Sequence, residues 1–187
     1  MNVYRVFDWD GTSTGEMFGG PLYVPAQVQG RGRFDIPFLD GVLYCALSDM
    51  CAVVEAIQMF RGSVLAPGDF RRPGGRFRQA LTGLVIEDLT LPDLSNPTTL
   101  SAHGWTTAQV TSMDRPMTQG MAATLYQEGV PGFLWPSAIE SECRNATLFA
   151  SRVRGSIKVA GKPVDLDTNL PVVQHAAGLL RIPQVIA

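Results

Sequence analysis

The sequence predicts an α+β fold, a mixed or antiparallel sheet with flanking helices. Three observations carry that expectation. Runs of alternating β-branched and aromatic residues mark strands. Apolar stripes at helical spacing mark helices. The two kinds do not alternate as a regular βαβ series. Gly and Pro, 19 and 13 of 187 residues, divide the chain into short elements joined by loops. A chain of this length is expected to be one domain, residues 1–187, with room for a real hydrophobic core.

NVYRVF (2–7) is the first strand, since its apolar side chains alternate. Residues 8–35 are rich in Gly, Pro, Thr and Gln and form a long loop of the kind that carries function. GVLYCAL (41–47) is a short buried strand. A helix follows, capped by Ser48 or Asp49, with Met50, Val53, Val54 and Ile57 on one stripe and Gly62 as its stop. APGDFRRPGGRFRQ (66–79) is a basic loop and LTGLVIEDLTL (81–91) the clearest strand. LPDLSNPTT is a turn-rich connection. A helical region begins at Thr106 and breaks near Pro116. Asp114 caps a second helix, which tolerates Pro116 in its first turn and ends at Gly129. PGFLWPS (131–137) and NATLFASRV (145–153) are strands. Pro163, Pro171 and Pro183 argue against a long element in the tail.

Composition excludes several classes of function. With 45% hydrophobic and 17% charged residues, most of the chain is expected to be ordered. A net charge of −2 gives no general attraction to nucleic acid or to an acidic membrane surface. No apolar run approaches the ~20 residues that span a bilayer. MNVYRVFDWDG carries acids and an arginine where a signal peptide needs a basic start and an apolar stretch. Cys45, Cys51 and Cys143 are odd in number and form no CxxC pair, so they are expected as reduced thiols of a cytoplasmic protein. There is no GxxxxGK[ST], no strand-borne GxGxxG and no HxxxH, so no P-loop, Rossmann site or metal site is supported.

GRGRFD (30–35) places Arg31 and Arg33 on a glycine-rich backbone that can approach a ligand closely. A guanidinium offers a fork of donors suited to a pyrophosphate, although from residue type alone two solvated loop arginines are the better reading. Tyr44 and Glu55 follow Arg33 at steps of eleven residues. Tyr44 lies in an apolar strand, where a core aromatic with a satisfied hydroxyl is the plain alternative. Glu55 points away from the apolar stripe of its helix, into Cys51, Ala52, Ala56 and Met59. A carboxylate there either faces a cleft or sits half-exposed on an edge helix. Ser137 sits where a strand breaks and reads equally as a turn serine. No GxSxG surrounds it, and neither His103 nor His175 has the spacing of a triad.

The pieces together resemble the RES domain family, named for an arginine, a glutamate and a serine. The resemblance rests on YRVF, GRFD (32–35), GVLYCAL followed by the helix with Glu55, and TQGMAATLYQEGVPGFLWPSAIESECRNATLF (118–149). It covers residues 3–153 and leaves 154–187 as an extension of open role. Two features depart from it: the long basic loop, and Asp35 where many members have Asn. By this resemblance Arg33, Tyr44, Glu55 and Ser137 are the catalytic candidates. Arg31, Arg33, Phe34, Tyr44 and Ser137 are the NAD-binding ones, with no metal.

RES proteins are typically bacterial toxins with a fold like that of mono-ADP-ribosyltransferases. The resemblance implies NAD as a substrate rather than a cofactor, cleaved at the nicotinamide–ribose bond by hydrolysis or phosphorolysis, or with transfer of ADP-ribose to a protein. It also implies a hetero-oligomer with a neutralising antitoxin that carries a helix-turn-helix DNA-binding part, and no direct contact with nucleic acid or membrane. Two alternatives stand beside it. One is a catalytically degenerate RES-like module that binds a nucleotide or partner through the basic loop. The other is an unrelated hydrolase that uses Ser137 with His103 or His175.

Overall fold

The computed structural model describes residues 1–25 and 28–185. Ala26 and Gln27 of the expected 8–35 loop, and Ile186 and Ala187 of the 154–187 extension, lie outside the described residues. In chain order the elements are β1 (Asn2–Trp9), β2 (Val42–Ala46), α1 (Asp49–Ile57), β3 (Arg78–Ile86), α2 (Pro97–Ala102), α3 (Thr107–Val110), α4 (Arg115–Gln127), β4 (Gly132–Pro136), β5 (Arg144–Phe149), α5 (Ala150–Val153), β6 (Ile157–Asp165) and α6 (Pro171–Leu180). The fold is α+β. The strand pairs β1–β2, β1–β3 and β4–β5 are antiparallel.

The helix starts follow capping chemistry. The Ser48 hydroxyl accepts from Cys51 N and opens α1. Asn96, Thr106 and Asp114 accept from Thr98 N, Gln109 N and Met117 N at the starts of α2, α3 and α4. Four stretches differ from the sequence expectation. The strand expected over 81–91 runs from Arg78 to Ile86, so it takes up the end of the basic loop and stops before Glu87. NPTT is not a turn but the start of α2, because Asn96 caps and Pro97 occupies the first helical turn. The strand expected over 145–153 ends at Phe149 and turns into α5. The tail holds β6 and α6: Pro163 lies within β6, and Pro171 begins α6, whose first N–H needs no partner.

The chain forms two compact units. The first comprises Met1, Val24–Cys45 and Ile86–Lys158. Its strands run in the order β4-β5-β2, and β4 and β5 pair from Gly132↔Leu148 to Pro136↔Arg144. Residues 92–94 follow the other edge of β4, with Leu134 N donating to Pro92 O and Leu94 N to Leu134 O, each at 2.8 Å. The core gathers Phe34, Leu94, Leu125, Phe133, Trp135 and Phe149 from loop, helix and strand. Phe34 meets Phe133 edge-to-face at 5.1 Å and Trp135 at 4.9 Å, so the segment after the double-arginine loop is anchored on β4. Gly132 is required by contact: a Cβ there would stand 2.3 Å from Thr147 O. Cys45 is buried, and Cys143 is disulfide-bonded.

The second unit comprises Asn2–Tyr23, Ala46–Val85 and Val159–Ala187. Its strands run β1-β3-β6. The β1–β3 register extends from Asn2↔Val85 to Trp9↔Arg78, and Tyr4 pairs with Ala46 at the end of β2. Helix α1 packs on α6 and on β1. Val53, Val54 and Ile57 of α1 are buried, as are Val173, Ala176, Ala177 and Leu180 of α6. Cys51 and Ala52 are buried as well, so α1 is enclosed well beyond its apolar stripe. Cys51 is disulfide-bonded. The expectation of three reduced thiols therefore fails at Cys51 and Cys143, because the lack of a CxxC motif says nothing about cysteines far apart in sequence.

Candidate functional site

The segment Gly30–Asp35 is a closed loop around one carboxylate. Asp35, 2% exposed, accepts from Gly30 N and Gly32 N through Oδ2, each at 2.7 Å. Its Oδ1 accepts from the Tyr44 hydroxyl at 2.8 Å, and that hydroxyl in turn accepts from Phe34 N at 2.9 Å. From the outside, Gln119 Nε2 donates to Gly30 O and Gly32 O at 3.1 and 2.9 Å. The Thr118 hydroxyl donates to Arg33 O. Gly30 has φ of +98°, which only glycine adopts readily. The backbone of this loop is thus pinned at nearly every residue.

Arg33 is half-buried. Its Nε donates to Ser112 O at 2.9 Å and its Nη2 to Val110 O. The guanidinium carbon lies 5.0 Å from the Trp135 ring centroid and 5.1 Å from that of Phe34. The side-on edge of the guanidinium is therefore committed to the 110–112 carbonyls. Arg31 is exposed, and its backbone N donates to Val28 O at 3.3 Å.

Tyr44 is packed against the core of the first unit. Burial, followed by the negative charge of Asp35 and the hydrogen bond to it, raises its pKa far above the ordinary tyrosine value. The group stays a neutral phenol at any physiological pH, its hydroxyl engaged by Asp35 and Phe34 N.

Ser137 is buried at the end of β4, two residues beyond Trp135. Its Oγ accepts from Ile139 N at 3.0 Å and Glu140 N at 3.3 Å, and its own N donates to Cys143 O. These bonds make it a turn-closing serine in this structure. Trp135 Nε1 donates to Thr147 Oγ1 at 2.9 Å, which fixes the ring under Arg33.

The first unit therefore brings together Arg33, Phe34 and Tyr44 with Trp135, and Ser137 lies on the same strand run as Trp135. Glu55 belongs to the second unit, on α1. It is half-buried, and Gln58 Nε2 donates to its carbonyl at 3.1 Å and its carboxylate at 3.3 Å. Asp35, Trp135, Thr118 and Gln119 were not singled out as site residues by the sequence. The signals were present only for the first two: an acid closing a glycine-rich turn, and a Trp two residues before the strand-end serine.

The rival constellations are weaker. Both ring nitrogens of His103 are engaged, Nδ1 with Thr99 O at 2.9 Å and Nε2 with Glu128 at 3.1 Å, and the ring stacks on Trp105. His103 is thus not poised to serve Ser137 as a base. His175 is exposed on α6 in the second unit. Among the described residues no group of three His, Cys, Asp or Glu could hold a metal ion. Nor is any helix among them long and apolar enough to cross a membrane. The basic loop is largely satisfied within its own unit. Arg72 Nε donates to both Asp8 oxygens at 2.8 and 2.9 Å, Arg78 pairs with Asp165 at 2.6 Å, and Arg76 lies over Phe77.

The model of the RES domain family matches residues 2–169. The chain belongs to the RES domain family. The match runs past the residue 153 expected from sequence, so β6 is part of the RES domain and not an addition to it. Among solved structures, a chain of the M. tuberculosis MbcT–MbcA toxin–antitoxin complex is similar in fold. The TM-score is 0.64 at 17% identity, over 96% of this chain and 88% of that one. Comparison with curated proteins finds no match.

Proposed function

We propose that this RES-domain chain is a toxin that cleaves NAD at the nicotinamide–ribose bond. The observation that carries the reading is the fixed guanidinium of Arg33, held over Trp135 by two carbonyls beside a pinned glycine-rich loop. Family membership supplies the chemistry that such a site would perform.

In the reaction, the bond between ribose C1′ and the nicotinamide nitrogen breaks. Its electron pair moves to the nitrogen and neutralises the pyridinium, and positive charge spreads over C1′ and the ring oxygen of the ribose. Arg33, with Arg31 helping, binds the pyrophosphate and so holds one end of the substrate. The rings of Phe34 and Tyr44 border the nicotinamide. Glu55 orients a ribose hydroxyl or stabilises the cationic ribose. Ser137 organises the nicotinamide end without acting as a nucleophile. Water, phosphate or a protein side chain then bonds to C1′ and releases its proton. The products are ADP-ribose, its phosphate ester or an ADP-ribosylated protein, together with nicotinamide. NAD is the substrate, and no metal enters a step.

The MbcT–MbcA structure is that of a toxin–antitoxin complex. By the same reading, this chain is neutralised by a separate antitoxin with a helix-turn-helix DNA-binding part. The reading sets the chemistry in the bacterial cytoplasm.

The test is mass spectrometry of NAD after incubation with the purified protein, with and without phosphate and with candidate protein targets. Release of nicotinamide is expected. NAD bound but left intact would favour the degenerate binding module, and NAD neither bound nor consumed would remove the reading.

A further inference from the structure

We propose that Asp35 is a positioning residue of the NAD site, the joint that sets Arg33 and Tyr44 in one frame. The proposal rests on the NAD reading above for its functional meaning, while its structural content stands on the loop itself. Asp35 is 2% exposed, so it has no surface to offer a substrate and acts through its neighbours. Arg33 lies between two residues whose N–H groups lead to this one carboxylate. Gly32 N reaches Oδ2 directly, and Phe34 N reaches Oδ1 through the Tyr44 hydroxyl. Gly30 N adds a third donor. The loop backbone, the phenol and the residue between them are thus referred to a single group.

The chemistry requires a carboxylate. Three donors converge on Asp35, and an ionised carboxyl accepts from all three with both oxygens. Charge-assisted bonds of this kind offset the cost of burying the group. In this loop an amide would leave one of these donors unmatched. If its oxygen serves Gly30 N and Gly32 N, its NH₂ faces the Tyr44 hydroxyl, whose proton then loses its acceptor. There is also no room for compensation by movement: a Cβ on Gly32 would stand 2.4 Å from the Tyr44 oxygen and 2.6 Å from Asp35 Oδ1. Sub-ångström displacement of Arg33 is therefore the expected consequence of losing the carboxylate, and misplacement of about 1 Å can lower a rate about 100-fold.

The experiment compares Asp35→Asn with Asp40→Asn. Asp40 caps a turn in the same unit, accepts from Gly41 N and from the N and hydroxyl of Ser151, and has no part in the site. Thermal stability, kcat and KM for NAD, and amide hydrogen exchange at Gly30, Gly32 and Phe34 are measured for each. Asp35→Asn is expected to lower kcat/KM by about 100-fold and to speed exchange at those three amides. Asp40→Asn should leave both unchanged at a similar loss of melting temperature. In the double variant with Tyr44→Phe, the two losses in kcat/KM should not add, because both act through one joint. Asp35→Asn with wild-type kcat/KM and unchanged exchange would overturn the proposal, and so would additive losses. If the wild-type protein consumes no NAD, the NAD reading falls, and the exchange data alone decide the positioning claim. If Asp35→Asn does not fold, Tyr44→Phe by itself is decisive: faster exchange at Phe34 supports the joint, and unchanged exchange overturns it.

Discussion

The guanidinium carbon of Arg33 lies 5.0 Å from the centre of the Trp135 ring. That contact ties a glycine-rich loop to the strand that ends beside Ser137, and it needs a planar cation with more than one donor. Lysine has neither the plane nor the fork. Arg33→Lys is expected to lose the bonds to Val110 O and Ser112 O together, at a cost of about 1–3 kcal/mol in urea denaturation. NAD consumption should fall about 100-fold or more. A lysine variant with wild-type turnover would remove Arg33 from the mechanism.

Glu55 separates stability from chemistry. Glu55→Gln keeps the shape of the side chain and, at a half-buried position, should change the stability of α1 by less than about 0.5 kcal/mol. NAD turnover should still fall about 100-fold, because the proposed mechanism gives Glu55 the negative charge that meets the cationic ribose. The pair of readings is a melting curve and a nicotinamide-release assay on the same preparation.

Ser137→Ala leaves two N–H groups, of Ile139 and Glu140, without their acceptor. A loss of about 1–2 kcal/mol in stability is expected. A serine-reactive phosphonate probe should not label the wild-type residue, since its Oγ is buried and closes the turn by accepting from Ile139 N and Glu140 N. Labelling at Ser137, mapped by peptide mass spectrometry, would revive the hydrolase alternative.

Two glycines should respond in opposite directions. Gly32→Ala drives a methyl group into Tyr44 and Asp35 and should destabilise by about 1–3 kcal/mol. Gly120, exposed on α4, meets nothing within 4 Å, so Gly120→Ala should stabilise by about 0.5–1 kcal/mol. Chemical denaturation of the two variants side by side checks the sign of each.

His103 gives a pH signature. Its hydrogen bond to Thr99 O, followed by that to Glu128, raises its pKa above the ordinary 6.5. The folded state therefore holds the proton more tightly than the unfolded chain. The resulting stability is fully present below the ordinary histidine value and is lost as pH rises through the raised one. Melting temperatures at about pH 5.5 and about pH 8 should show that loss in the wild type and a smaller one in Glu128→Gln.

Much of the fold was legible because local chemistry and tertiary structure agree. Ser48 and Asp114 cap the helices they were expected to cap, and β2 and β4 lie within the expected runs. The misreading of NPTT and of the tail shares one cause: proline was taken as a breaker. Pro97 and Pro171 stand in first turns, where a missing N–H costs nothing, and Pro163 stands on an outer strand. The site was legible in part. Glycines around Arg31 and Arg33 announced a close-packed loop, but nothing in the spacing of Asp35 and Tyr44 shows that one hydroxyl bridges them. The engagement of Arg33 with the 110–112 carbonyls was invisible as well, because any residue has a carbonyl to offer.

One consequence follows from where β6 stands. It is the last strand in the order, and its sequence IKVAGKPVD places Gly161, with φ of +80°, and Pro163 inside the ribbon. A left-handed glycine buckles the rim, and a proline leaves a gap in its row of donors. Lys162 adds a charge that repels an identical neighbour, whereas Lys158 is paired with Glu87. A second molecule thus finds no straight ladder to extend along that margin, so the strand is poorly suited to fibre-like stacking.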